Sequence, residues 1–219
     1  MSDGETGLET LIDSGRLDET PHFPEVKEWC ELLAIIEELT NTPTDYKTLI
    51  IDTINGLEAL CFNHVCRRDF KGSMKAFLAY GQGPESSVGD WRQFLAALDE
   101  LRERQKMAVI CLCHSHVKPF HNPEGEDYDR YTPELHKKLW GATHKWADIV
   151  LFFHTPVAID AEGLRAKGKG GLDRVAFTTK TPAWDAKNRH GMPEEFELGE
   201  SGAEGWSNFI NTIKQGKDK

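Results

Sequence analysis

Apolar and polar positions alternate along the chain in two rhythms. Val26, Trp29, Leu32, Leu33, Ile36 and Leu39 return at three- and four-residue spacing, the mark of one helical face, and Pro24 stands where a first helical residue fits. Asn41 and Pro43 end that helix. TLIID (48–52) is short, β-branched and closed by an acid, which predicts a buried strand. After Asn55 a long helix is expected, with Leu57, Leu60, Cys61, His64 and Val65 on one side. GQGPESSVG (81–89) is expected to break the pattern before Asp90 caps the helix WRQFLAALDELRER, which leads into the strand MAVICLC (107–113). His114 to Pro133 is polar, aromatic and Pro/Gly-bearing, and a connection of that length inside a domain is expected to be functional or disordered. A helix over 134–147 then feeds DIVLFF (148–153).

From there the rhythm changes. PVAID (156–160) and DRVAFTT (173–179) flank AEGLRAKGKGGL, which predicts a long hairpin with a basic tip. TPAWDAKNRHGMP (181–193) reads as a loop, EEFEL as a last strand and 203–214 as a terminal helix. No internal repeat is visible. Continuous rather than alternating apolar strands, interleaved with helices, predict an α/β fold of three layers: a mainly parallel sheet covered on both faces, closed by antiparallel strands at one end. Ligands of such sheets gather beyond the carboxyl ends of the strands. The residues there are Asp52, His114 and His116, joined by Asp3 and Glu5 if Met1 begins at the end of a strand.

Composition narrows the functional classes. A chain of 219 residues with 39% hydrophobic content supports one sizeable core. Lys and Arg number 26 against 36 Asp and Glu, a formal charge of −10, which excludes a passive nucleic-acid coat over the whole surface. The charge is uneven: residues 1–60 hold 14 acids against three bases, whereas residues 161–191 hold seven bases against three acids. The first residues show no charged and apolar leader, and no run approaches the roughly 18 apolar residues of a membrane helix, so a soluble cytoplasmic chain is expected. Five cysteines without a CxxC pair are expected to be reduced core thiols.

Four groups of residues carry candidate chemistry. Asp52 ends an apolar strand, as does the acid that holds the water shell of Mg²⁺ in phosphate-loop NTPases; a solvated strand end or helix cap is the plainer alternative. In LCHSH (112–116), His114 follows the next strand, where a polar side chain can sense a γ-phosphate. A metal-hydrolase reading would gather His114, His116 and His121 with Asp52, but an HxH pair on an extended segment points its rings to opposite faces. In AKNRHG (186–191), Lys187 and Arg189 lie on one side of an extended segment and can reach an anionic group together, against the plainer reading of a solvated basic turn. GLRAKGKG (163–170) imitates the phosphate-loop pattern GxxxxGK[ST], yet its last position is Gly170 without a hydroxyl, no helix follows, and its flanks read as hairpin strands.

TLIIDT, the strand ending in LCHSHVK, YDRYTPELHKKL, WADIVLF and RVAFTTKTPAWDAKNRHGMP, in this order, resemble the phage-encoded RecA-like ATPases, also described as AAA-type nucleotide-binding or single-strand-annealing proteins. The resemblance covers residues 1–198, which it casts as a RecA-like core, with 199–219 a C-terminal helix and tail. It implies that Asp52 is the Walker B acid, binding Mg²⁺ through water, and that His114 is the γ-phosphate sensor. It casts Lys187 and Arg189 as the paired cations presented to a neighbour's nucleotide, where they stabilise transition-state charge. Asp3-Gly4-Glu5 is similar to the D-x-E whose glutamate activates water, so Glu5 is the implied general base. The family's first strand, phosphate loop and following helix are expected ahead of Asp3, and no GK[ST] occurs in the sequence; without that cradle this chain by itself is expected to bind ATP weakly.

The expectation from the resemblance is therefore an oligomeric, RecA-like ATPase core of phage or prophage origin that serves DNA recombination, repair or single-strand annealing. ATP and Mg²⁺ are its expected cofactors, and copies of itself and single-stranded DNA its partners, with no membrane. Lys118 and Arg130 in the 115–133 segment, and Lys167 and Lys169 at the hairpin tip, are the candidate DNA contacts, and such binding weakens steeply with salt. The alternatives are a non-catalytic oligomeric adaptor on the same scaffold and the His/Asp metal hydrolase.

Overall fold

The computed structural model describes residues 7–155, 157–160, 167–170 and 174–217, with the backbone alone at 157–160, 167–170 and 217. In chain order the elements are α1 (Gly7–Asp13), α2 (Trp29–Asn41), β1 (Thr48–Ile51), α3 (Ile54–Asp69), α4 (Met74–Leu78), a 3-10 turn (Ala79–Gly81), α5 (Gln82–Gln105) and β2 (Ala108–Cys111). There follow β3 (Ser115–Phe120), β4 (Tyr128–Pro133), α6 (Lys137–Trp146), β5 (Ile149–Val150), β6 (Phe152–His154), β7 (Val157–Asp160) and β8 (Lys167–Gly170). The last are β9 (Val175–Phe177), β10 (Lys187–Asn188), β11 (Glu195–Glu197) and α7 (Gly202–Lys217). The chain divides into two compact units, residues 1–115 with 133–143, and residues 116–132 with 144–219.

In the first unit β1 and β2 run parallel, in register from Thr48 opposite Ala108 to Ile51 opposite Cys111. Helices α2, α3 and α5 share a core around Trp29, Trp91 and Phe94, with the two indoles stacked at 6.0 Å and Phe94 tilted 5.3 Å from Trp91. Leu57, Leu98 and Leu101 are fully buried beside them. The buried Trp91 Nε1 donates to Thr143 Oγ1 at 2.8 Å, and that hydroxyl donates to the Leu139 carbonyl at 2.9 Å, so neither polar group is left unpaired. A second cluster joins Phe77 to Val65, Cys66, Phe62 and Phe70.

Two expected boundaries move here. GQGPESSVG does not break a helix; it begins one, because α5 runs from Gln82 and Asp90 lies inside it. Gly81, at φ +69°, turns the chain into the helix, and Pro84 falls in the first turn, where a missing N–H removes no helical bond. Gly83 is required by packing, since a Cβ there would stand 2.3 Å from the Phe77 ring. Asp90 is buried not as a cap but as the partner of Arg68, which donates to its two oxygens at 2.7 and 3.0 Å. Helix α2 starts at Trp29 rather than at Pro24, with Glu28 extended at φ −130° ahead of it.

In the second unit β9 lies between β11 and β6, antiparallel to both, with Phe177 opposite Glu195 and Phe152. Phe152 stacks on Phe177 and on Trp184 at this sheet, and Trp184 is tilted against Phe177 with centroids 4.5 Å apart. Helix α7 closes it through Phe209 on Phe196 and an Asn208 amide donating to the Glu197 carbonyl at 3.0 Å. The DIVLFF run splits in two: β5 pairs with β10 and β6 with β9. The 114–133 segment, expected as a loop, forms β3 and β4, which pair with each other. The expected hairpin of PVAID with DRVAFTT does not form: β7 pairs antiparallel with β8, from Val157 opposite Gly170 to Asp160 opposite Lys167, so Lys167 and Lys169 lie on a strand rather than at the tip, and Val175–Phe177 pairs with β6 and β11 instead.

The fold is thus a mixed α/β one with a parallel pair and antiparallel sheets, and among the described residues parallel pairing is found at β1–β2. The expected mainly parallel sheet gives way beyond β2 because several later strands are joined by connections too short for a crossover helix, which suits antiparallel neighbours.

Candidate functional site

The carboxyl ends of β1 and β2 form the site that the sequence singles out. Strand pairing continues past both: the Leu112 N–H donates to the Ile51 carbonyl and the Ile54 N–H to the Leu112 carbonyl, each at 2.9 Å. Asp52 follows β1 directly and is exposed, and its bond to Thr53 is cis. α3 begins two residues on, at Ile54, so Asp52 is delivered by a strand just ahead of a helix start. His114, also exposed, lies three residues past the end of β2, not one as the longer expected strand placed it.

Asn55 ties these ends together. Its Oδ1 accepts from the His114 N–H at 3.0 Å, and its Nδ2 donates to the Glu134 carbonyl at 2.6 Å. The Glu134 N–H in turn donates to the His114 carbonyl at 2.8 Å. One turn further along α3, the Glu58 carboxylate accepts from the His136 N–H at 2.5 Å, just ahead of α6. Burial, with Lys137 adding to it, holds His136 below the ordinary imidazole range. Beneath the site burial pushes the Cys111 thiol up to about 12 and the Cys113 thiol to about 11, so both stay protonated at neutral pH. Asn55 and Glu58 carry no role in the sequence reading. Their signal is there, a polar pair three residues apart in the mostly apolar first half of the helix.

A cavity of about 660 Å³ lies in the same unit, where the starts of α5 and α6 face each other through Gln82, Glu85, His136 and Lys138, with the fully exposed Tyr80 at its edge. Lys138 and Glu85 form an ion pair across it.

The second unit holds Lys187 and Arg189, and both act on the end of α6. The Lys187 ammonium donates to the carbonyls of His144 and Ala147 at 2.6 Å each and of Lys145 at 3.1 Å. Arg189 donates to the Lys145 carbonyl at 3.0 Å and to Asp148 at 2.8 Å. Within this chain both cations are directed at the carbonyls that end α6, the negative pole of a helix. Burial, and then Arg189, lower the Lys187 pKa from its ordinary value against the pull of Asp148. Between them Asn188 closes the turn, its Oδ1 accepting from the N–H groups of His190 and Met192.

The remaining candidates scatter. Arg130 is largely withdrawn, paired with Asp185 at 3.0 Å and set 5.4 Å over the Phe120 ring, whereas Lys118 is exposed. Lys167 and Lys169 lie on β8, and their side chains fall outside the described residues, as does Glu5. Because Lys167–Gly170 is a strand, GLRAKGKG does not lead into a helix as a phosphate loop does. His121 pairs with Asp127 at 2.7 Å, and among the described residues no three His, Cys, Asp or Glu side chains gather as a metal site. The metal-hydrolase alternative therefore finds no ligand set there. Cys30, expected in the core, is exposed. No described helix is long and apolar enough to cross a membrane.

Residues 15–190 match the family model of an AAA domain. The chain belongs to this AAA-domain family. Membership makes the protein an AAA-type, nucleotide-binding, ATPase-like domain, with ATP as the family's usual ligand. No curated protein and no solved structure matches the chain. The matched span of the AAA domain contains Asp52, His114, Lys187 and Arg189 together with the strand ends.

Proposed function

We propose that this AAA domain works as a RecA-like ATPase of phage or prophage origin in DNA recombination, repair or single-strand annealing, assembled from copies of itself. The observation that carries the nucleotide part is the parallel β1–β2 pair, whose adjacent carboxyl ends present Asp52 and His114 on a backbone fixed by Asn55. An exposed carboxylate fits Mg²⁺, which keeps several waters and needs one or two carboxylates beside the phosphate oxygens rather than an all-protein cage. Asp52 would hold that water shell, and the metal would neutralise charge on the phosphates. His114 would read the γ-phosphate, and Glu5 would activate water.

Lys187 and Arg189 are proposed as the cations that meet a neighbour's nucleotide. Arg189 leads, because its side chain is half exposed and its partner Asp148 is exposed too, so the pair exchanges readily for a phosphate. Lys187 keeps the segment in place. The basic hairpin with Lys167 and Lys169, and Lys118, supply the phosphate contacts to single-stranded DNA, with Arg130 positioning the strand that bears Lys118. The order of motifs supports the RecA-like assignment.

The nucleotide proposal is tested by amide shift mapping on the full chain at millimolar ATP with and without Mg²⁺. The Thr53, Asn55 and His114 amides are expected to move with Mg·ATP, and Asp52→Asn to remove the Mg²⁺-dependent part. Unmoved strand-end amides in the wild type, or shifts that ignore Mg²⁺, would overturn it.

A further inference from the structure

Away from the strand ends, three helices of the first unit bring a thiol, an imidazole and a carboxylate into line. Cys30, the second residue of α2, is exposed, and its Sγ lies 3.8 Å from Nδ1 of His64 on α3. The other ring nitrogen of His64 stands 3.8 Å from the carboxylate of Asp90 on α5; the two side chains are 26% and 11% exposed. Asp90 is held in turn by both terminal nitrogens of Arg68. Just before the thiol, the Glu28 carboxylate is clamped by Arg67 at 3.0 and 2.5 Å, which fixes the start of α2. The other four cysteines are withdrawn: Cys61 and Cys66 are buried, and burial pushes the Cys61 and Cys111 thiols up to about 12 and Cys113 to about 11.

The chemistry of this arrangement is specific. A thiolate, not a thiol, attacks electrophilic sulfur. An imidazole in contact with the S–H can remove its proton, and a carboxylate on the far ring nitrogen favours the imidazolium that results. The first-turn N–H groups of α2 add a positive pole beside the nascent thiolate.

We propose that Cys30 is a modification site for low-molecular-weight disulfides, with His64 as its base and Asp90 as the residue that positions His64. Cys30 Sγ attacks one sulfur of R–S–S–R; the Cys30–S–S–R bond forms as the original S–S bond breaks, and the leaving thiolate takes the proton that His64 removed. The Cys30 sulfur is oxidised and the departing sulfur reduced, so the small disulfide is the only co-reactant. The charged and titratable groups that face this pair are Glu28 on the approach to α2, Arg67, Arg68 and Asp69 on α3, and Asp90 on α5.

The test incubates the full chain with oxidised glutathione and follows adducts by intact-mass and peptide mass spectrometry. Cys30 is expected to carry the first glutathione, and Cys30→Ser to abolish that fast adduct. Since a free thiol is only a few per cent ionised at pH 7, His64→Phe should slow the reaction about tenfold there. At pH 10, where thiols ionise without a base, the two rates should converge, which a merely structural role for His64 would not produce. Equal rates at pH 7, or first reaction at another cysteine, would overturn the proposal. If His64→Phe unfolds the chain, seen as fast reaction of all five thiols, His64→Gln carries the same comparison with the same expected and contrary results.

Discussion

Replacing Lys187 by Met keeps most of the aliphatic stem and removes the ammonium, leaving the carbonyls of His144, Lys145 and Ala147 at the end of α6 without this donor. A hydrogen bond from a charged donor contributes about 1.5–3 kcal/mol when its partners are withdrawn from water. The three bonds share one cation that is only partly covered, and its lowered pKa records a desolvation penalty that offsets part of the gain. About 2 kcal/mol for the whole group is therefore the expected loss, or roughly 4–8 °C in unfolding temperature for a chain of this size. Arg189→Met removes a half-exposed ion pair and one carbonyl bond, with an expected loss of about 1 kcal/mol or less. Thermal unfolding followed by circular dichroism compares the two. Equal unfolding temperatures for Lys187→Met and the wild type would refute the capping role, and a larger loss from Arg189→Met would reverse the proposed division between a structural lysine and an available arginine.

Two further outcomes follow from the same reasoning. Gly191→Ala should destabilise the chain by about 2 kcal/mol in denaturant titration, because φ is +66° there and a Cβ would stand 2.9 Å from the Gly216 carbonyl oxygen; an unchanged midpoint would contradict that close approach. The folded-state pKa values of Cys61, Cys111 and Cys113 lie above the ordinary 9.0, so the stability these protonated thiols contribute is full below pH 9 and is lost as pH rises toward 11–12. Denaturant midpoints should fall from about pH 9 upward, and replacing Cys111 by Ala should flatten that fall; an equally steep fall in the variant would count against buried thiols as its source.

The helices with strong periodicity were legible because they bury one face, as α2 does through Trp29, Leu32 and Ile36 and α3 through Leu57, Leu60 and Val65; β1, β2, β9, β11 and α7 also stand close to where the pattern puts them, although β2 and β11 are only partly covered. The start of α5 was not, since a Gly-Pro pair signals a break unless the Phe77 ring that fills the space over Gly83 is known. Strand pairing was harder still. Two residues of β5 and two of β10 meet across 37 positions of sequence, and nothing local distinguishes Lys187–Asn188 from the loop around it. The exposure of Cys30 also escaped the pattern, because its neighbours Trp29 and Leu32 are core residues and a thiol between them reads as one more.

At the candidate site the residue types at strand ends were legible, and the joints between them were not. Asp52 follows β1 directly and His114 lies three residues past β2, but what holds the His114 backbone is Asn55, whose two hydrogen bonds reach 59 and 79 residues along the chain. Those bonds have a mechanical consequence for the proposed nucleotide role. A displacement of the His114 backbone would strain its bond to Asn55 and its bond to the Glu134 N–H at once, and Glu134 stands two residues before His136, which Glu58 holds at the start of α6. The same α3 segment thus grips both the proposed sensor and the entry to α6, so a phosphate-driven shift of His114 has a contiguous set of hydrogen bonds through which to act. Energy can pass along that route only if the 134–136 segment has two arrangements of different affinity for nucleotide, which makes the Glu134 and His136 amides, rather than the His114 ring alone, the reporters of a working sensor.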